Sequence, residues 1–163
     1  MAGDGFMVDV STIENYLTAL MDSFILYKVC RYDIRGKQFL QTNDKYYVAD
    51  IGLRQYLLGA DNKKDTGHIL ENVVYLELLG RGYRVYVGKV GIWEVDFVAE
   101  KADEKIYFQV CETMSGEETR EREFRPFKSI KDSYRRMVLT MDYVTLGNYE
   151  GIEVINIVEW LLG

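Results

Sequence analysis

Three β-rich runs, GYRVYVGKV, IWEVDFVAEK and EKIYFQVCE, follow one another with only short turns between them, at Gly88 to Gly91 and at Ala102 to Glu104. Runs rich in Val, Ile, Tyr and Phe and bounded by turn residues read as strands. The last two form a two-stranded ribbon. A helix, HILENVVYLELLG, precedes the three, with Gly80 as its stop. A charged helical segment, EETREREFRPFKSIKDSY, follows them. Pro126 in an interior position costs a helix about 3 kcal/mol, so a kink or break is expected there. RRMVLTMD and GIEVINI read as further strands and VEWLLG as a closing helical turn. This part of the chain therefore runs α-β-β-β-α-β-β-α, an α/β pattern.

The earlier part is organised differently. Ser11 and Glu14 have the spacing of a capping box, and Ile13, Tyr16, Leu17, Leu20 and Met21 fall on one helix face. FILYKV is a strand, Arg35-Gly36-Lys37 a turn, FLQ a resumed strand and KYYVAD another. Asp50 then caps a short helix, IGLRQYLLG, closed by Gly59. The polar stretch from Ala60 to Gly67 is the best linker candidate, short enough to be an interhelical loop instead; as a linker it divides the chain into 1–60 and 61–163.

Charge and cysteine content narrow the functions. The 163 residues carry 26 acidic and 20 basic side chains, a net charge of -6, whereas a general nucleic-acid binder is basic. Any such contact must come from a local basic face. Cys30 and Cys111 are far apart, there is no CxxC, and His68 is the one histidine, so no zinc site is implied. Both cysteines read as small buried hydrophobes in a reducing cytosol. No run is long enough to span a membrane and no leader is visible, so a cytoplasmic protein is expected. No Walker motif occurs, so ATP hydrolysis by this chain alone is not expected.

Alternation along the ribbon concentrates polar groups. Glu94 and Asp96 share one face of their strand, and Gln109 and Cys111 share a face of the next. If the register joins these faces, Asp96, Gln109 and Cys111 converge with Glu94 beside them. Glu71, on the preceding helix, can lean over the same point. Glu112 points to the other face of its strand.

These residues resemble the PD-(D/E)XK nuclease superfamily: a helix glutamate, Glu71, a strand aspartate, Asp96, and a next strand carrying QVC. Over nearly the whole chain, LYKVCRYDIRGKQFL, KYYVADIGLRQYLLG, ENVVYLELLGRGY, EVDFVA and TREREFRPF are similar to the C-terminal region behind the AAA+ module of a group of archaeal and bacterial ATPases. That region is a domain of unknown function following a winged helix. The resemblance implies a restriction-endonuclease-like mixed sheet flanked by helices, preceded by a partial winged-helix lobe. It implies Glu71, Asp96 and Gln109 as the site, with Asp96 and Glu71 as the carboxylate ligands of a magnesium ion if the site is retained.

The pattern departs from the superfamily twice. Gln109 stands where a second carboxylate belongs, and an amide oxygen brings no charge to a hard cation. Cys111 stands at the lysine position, where a cation holds the attacking water and compensates transition-state charge. Lys89, Lys101 or Lys105 would have to supply that cation. An acidic strand face paired with a neighbouring arginine is the plain structural alternative for Glu94 and Asp96. On the winged-helix side, the resemblance makes the helix from Thr12 to Asp22 the recognition helix and Arg35 to Lys37 the wing tip. That helix carries Glu14 and Asp22 and no cation, a poor surface for phosphate.

The densest cationic run is TREREFRPFKSIKDSYRR. Its interleaved acids, Glu123 among them, make much of it a solvated, salt-bridged face. Lys128, Lys131, Arg135 and Arg136 lie beyond most of those acids and form the candidate phosphate-contacting patch, with Tyr134 as a stacking ring. His68 reads as a capping or surface residue. The leading expectation is a non-catalytic nuclease-fold domain serving an ATPase and binding nucleic acid, DNA among the candidates, or a protein partner. The alternatives are a metal-dependent nuclease with an altered site and a structural or dimerising module, for which the 13 tyrosines are suited.

Overall fold

The computed structural model describes residues 9–58 and 66–163. In chain order the elements are α1 (Val10–Asp22), β1 (Leu26–Asp33), β2 (Gln38–Val48), α2 (Ile51–Leu58), α3 (Thr66–Gly80), β3 (Arg84–Val90), β4 (Trp93–Lys101), β5 (Glu104–Cys111), α4 (Glu117–Lys128), β6 (Arg135–Thr140), β7 (Gly147–Tyr149), β8 (Ile152–Asn156) and α5 (Ile157–Leu162). The strands form one eight-stranded mixed sheet in the order β2-β1-β3-β4-β5-β6-β8-β7. β3, β4 and β5 are the antiparallel ribbon expected from their short turns. β5, β6 and β8 run parallel, with α4 crossing between β5 and β6.

Alternation along the central strands feeds two cores. Val85, Val87, Phe97, Ala99, Phe108 and Val110 pack under α3, whose Val74, Tyr75 and Leu78 are buried, and under Ile157 of α5. On the opposite face Val98, Tyr107, Cys111, Val138 and Val154 meet Met114 and the α4 residues Phe124 and Phe127. Because most central strands are covered on both faces, their apolar content is nearly continuous.

The hairpin β1–β2 from the first part of the chain joins this same sheet, since β1 pairs in parallel with β3. Asn72 of α3 ties it down: its amide accepts from Val48 N and donates to Val48 O, both at 2.9 Å, completing the end of β2 as a neighbouring strand would. Gly59, the 60/61 boundary and the proposed linker as far as Asp65 lie outside the described residues, while its last two residues, Thr66 and Gly67, open α3.

Several local expectations change. FLQ and the KYYV of KYYVAD belong to one strand, β2, interrupted by a bulge where β1 advances from Val29 to Arg31 while β2 passes from Lys45 to Leu40. The capping box is not formed: Asp9 is the N-cap of α1, and Ser11, already inside the helix, donates to Asp9 Oδ2 at 2.6 Å. Asp50 does cap α2, accepting from Leu53 N at 3.0 Å. α3 is terminated by Gly82, with φ 83°, after Gly80. α4 carries Pro126 without a break in its Glu117–Lys128 span; the proline forfeits the bond to the Arg122 carbonyl, and the helix ends two residues later. Residues 129–134 are loop, and β7 is an additional short strand. Cys30 is exposed and Cys111 buried, both as free thiols.

Gly88 is where the sheet needs no side chain. A Cβ there would lie 2.8 Å from Val95 Cβ, 2.9 Å from Val98 Cγ2 and 3.0 Å from Ile34 Cδ1. Gly88→Ala is expected to lower unfolding stability by about 1–3 kcal/mol, read as a lower urea midpoint at unchanged slope. An unchanged midpoint would mean that Ile34 and Val95 give way freely.

Candidate functional site

The β4–β5 ladder runs from Lys101 opposite Glu104 to Phe97 opposite Phe108. Beyond Phe97 side chains take over from backbone. Val110 N donates to Asp96 Oδ2 and Asp96 N donates to Gln109 Oε1, each at 2.8 Å. The reason lies on the other edge of β4, where β3 advances two residues, Tyr86 to Gly88, while β4 advances three, Val98 to Val95. The extra residue is a bulge at Asp96 and Phe97, a device that re-aims a side chain and ends regular pairing. Asp96 and Gln109 thus come together as the alternation suggested, joined by hydrogen bonds.

Around this pair lies a cavity of about 430 Å³ lined by Glu71, Glu94, Asp96, Gln109, Cys111 and Glu123 among others. Lys45 of β2 pairs with two of its acids, with Nζ 3.1 Å from Glu71 Oε2 and 2.7 Å from Glu94 Oε1. Arg31 of β1 holds the other oxygen of Glu94. Tyr47 donates its hydroxyl to Glu71 Oε2 at 3.4 Å, and His68, largely exposed, stands 3.8 Å from Glu71 Oε1. Gln109 donates Nε2 to Glu123 Oε2 at 3.2 Å, and Arg122 closes on Glu123 at 2.9 Å. Glu123 is buried, in contrast to the solvated face expected for it. The plain structural alternative, acids paired with a neighbouring arginine, describes Glu94.

The ionisation states follow from burial and charge. Burial, reinforced by Glu71 and only partly opposed by Lys45 and the Val110 N–H, raises the Asp96 carboxyl well above its ordinary value of 3.8. Burial works the same way on Glu94, but Lys45 and Arg31 outweigh it and hold that carboxyl low. Lys45 is kept charged because Glu71 and Glu94 outweigh its own desolvation. Burial and Glu123 push the Cys111 thiol up to about 12, so it is a neutral thiol at physiological pH.

As arranged, these donors do not fit magnesium. Gln109 Oε1 accepts a backbone N–H, Glu71 Oε2 accepts from Lys45, and among the described residues no group of three or more His, Cys, Asp or Glu side chains is placed to hold a metal ion. The lysines near the ribbon are elsewhere. Lys101 donates to Arg81 O at 2.7 Å, Lys105 pairs with Glu100 at 2.6 Å, and Lys89 is exposed. The lysine that stands beside the acids, Lys45, was missed from sequence. Its only signal was sharing a strand face with Tyr47 in KYYV, and nothing local says that this face meets Glu71.

The cationic candidates do not form one patch. Arg135 is held by Glu153 at 3.0 Å, while Arg136, pointing to the other side of β6, donates to Ile130 O and Asp132 O. Lys128 and Lys131 are exposed. The helix from Thr12 to Asp22 lies within α1, which buries none of its residues fully. Among the described residues no helix is long and apolar enough to cross a membrane.

These features define a mixed α/β protein whose long sheet carries an internally paired carboxylate cleft. Residues 2–64 match a family model described as a domain of unknown function, DUF8612. An uncharacterized protein of Haemophilus influenzae is 45% identical over 153 residues, 93% of this chain and 37% of that protein. An uncharacterized protein of Methanocaldococcus jannaschii is 32% identical over 154 residues, 89% of this chain and 32% of that protein. The chain spans about a third of the length of the curated relatives it matches.

Asp96 gives a pH test. A carboxyl whose folded value is raised contributes stability that is fully present below its unfolded value and lost as pH rises through the folded one. Asp96→Asn is therefore expected to melt at or above the parent at neutral pH, with its relative advantage growing from about pH 4 upward. Asp96→Ala, which orphans the buried Val110 N–H, should cost roughly 1–3 kcal/mol. Thermal melts across pH decide it: an Asn variant that is weaker at neutral pH and matched in acid would show the site stabilises the anion.

Proposed function

We propose that this chain is a non-catalytic, nuclease-fold accessory domain, of the kind it resembles behind the AAA+ module of ATPases, that binds nucleic acid or a protein partner. The observation that carries the reading is the self-sufficiency of the cleft. Glu71, Glu94, Asp96 and Glu123 each have an internal cation or hydrogen-bond donor, and Cys111 offers neither charge nor a hard ligand. The order α3, β3, β4, β5, α4, β6, with Asp96 and Gln109 where the central ribbon parts, supports the restriction-endonuclease-like reading. The α1–β1–β2 segment supports the partial winged-helix lobe more weakly.

A protein partner has a surface to use. Leu20, Phe24, Leu26, Leu53 and Leu57, from α1, the turn after it, β1 and α2, line an apolar groove of about 400 Å³, and Phe24 and Leu57 are largely exposed. Apolar surface of this kind is buried on association. The same groove suits the structural or dimerising alternative, which light scattering separates: mass rising with concentration, abolished by Leu57→Asp, favours self-association.

A second reading, a metal-dependent nuclease with an altered site using Glu71, Asp96 and Gln109, draws its support from Lys45, which brings a cation beside the acids although Cys111 cannot. One assay divides the two. Incubated with magnesium or manganese, the protein should leave single-stranded, double-stranded and branched DNA uncut. Metal-dependent cleavage lost in both Asp96→Ala and Lys45→Met would sink the non-catalytic reading.

A further inference from the structure

Two segments singled out separately in the sequence, the Arg35 to Lys37 turn and the cations after α4, face each other across one groove. It has a volume of about 660 Å³ and is lined by Ile34, Arg35, Lys37, Ile130, Lys131 and Asp132. Arg35 closes one end by donating to Ser129 O at 3.3 Å. Among the described residues the acid in that lining is occupied structurally: Asp132 accepts from the Tyr107 hydroxyl at 2.8 Å and from Tyr134 N at 3.3 Å, and Asp33, behind the turn, accepts from Arg35 N at 3.0 Å. Three cationic side chains are thus set around a groove whose carboxylate serves to fix its wall, an arrangement that favours an anion.

Aromatic rings continue from this groove across the sheet. Phe39 stacks edge-on against Tyr32 at 5.5 Å and Tyr86 at 5.0 Å, and Tyr134 meets Tyr107 at 6.3 Å. Lys105 bridges the two groups, 5.1 Å above Tyr32 and 5.4 Å above Tyr134. A row built only for packing would be covered, yet Phe39 is 56% exposed and Tyr134 47%. Cations that track a phosphate backbone beside exposed rings on which bases stack are the two components of single-strand recognition. Duplex binding needs no rings, and a protein-docking face does not need the cations.

We infer that this groove and its aromatic row bind single-stranded nucleic acid, with phosphates at Arg35, Lys37 and Lys131 and bases stacked on Phe39 and Tyr134. The inference rests on the accessory-domain reading and names its partner. It also moves the contact surface: Arg135 and Arg136, committed to Glu153 and to loop carbonyls, stay out of it, and the carboxylate cleft takes no part.

The test is fluorescence anisotropy of a labelled oligothymidylate at low salt, against a duplex of equal length. The parent should prefer the single strand, with affinity falling as salt rises. The double variant Lys37→Glu/Lys131→Glu should weaken binding at least tenfold and flatten the salt dependence, at the energy expected for lost phosphate contacts. Phe39→Leu, which keeps apolar cover, and Tyr134→Ala should each weaken it about fivefold to tenfold with the salt dependence retained. Thermal melts confirm that the variants fold. Binding that none of these variants changes, or a duplex bound as tightly as the single strand, overturns the inference and leaves the accessory reading standing on another surface. Absence of binding at low salt also overturns it and leaves only the protein-partner form of that reading. Cleavage of the oligonucleotide would instead strike at the accessory reading itself.

Discussion

The ion pairs of Lys45 join the two parts of the chain at the cleft, beside the β1–β3 pairing that makes them one sheet. One ammonium group, brought in on β2, lies between a helix carboxylate, Glu71, and a strand carboxylate, Glu94. Without it three acids, Glu71, Glu94 and Asp96, would repel one another in a partly desolvated space, where removing one member of a charge pair is costly. With it Glu94 ionises readily and the proton preference is left to Asp96, the most enclosed of the three. The position of the hairpin β1–β2 and the charge state of the cleft are therefore one property. Arg31 on the same hairpin repeats the arrangement at Glu94.

That coupling also explains what could be read from sequence. The ribbon, its flanking helices and the later strands were legible because periodicity and turn residues are local signals. So was the meeting of Asp96 with Gln109, which needs only the alternation of adjacent strands. Lys45 was not legible, because its contacts depend on where a distant hairpin is added to the sheet, and strand order is a nonlocal quantity. Glu123 misled for a related reason: within a charged run it looks like its neighbours, and only the packing of Phe124 and Phe127 determines that its side of α4 turns inward. The split assigned to β2 marked a real irregularity, a bulge, whose residues stay within the strand.

The sheet separates two electrostatic environments that the net charge of the chain conceals. At the parting of β4 and β5 the polar groups are consumed by one another. At the turn between β1 and β2 the cations face outward, and two nearby acids are spent inside the fold, Asp33 on Arg35 N and Asp132 on tyrosine. A sum of charges would average the two away. What distinguishes them is whether each charged group has been given its partner inside the fold.

The bulge in β2 has a consequence beyond its effect on pairing with β1. β2 and β7 are the two margins of an eight-stranded sheet, and a margin offers unpaired amide and carbonyl groups to any other extended chain. β7 is only three residues long, too short to template an addition, and β2 is irregular at its middle with Asn72 already bonded to Val48 at its end. The long sheet is thereby protected from edge-to-edge aggregation by geometry at both margins.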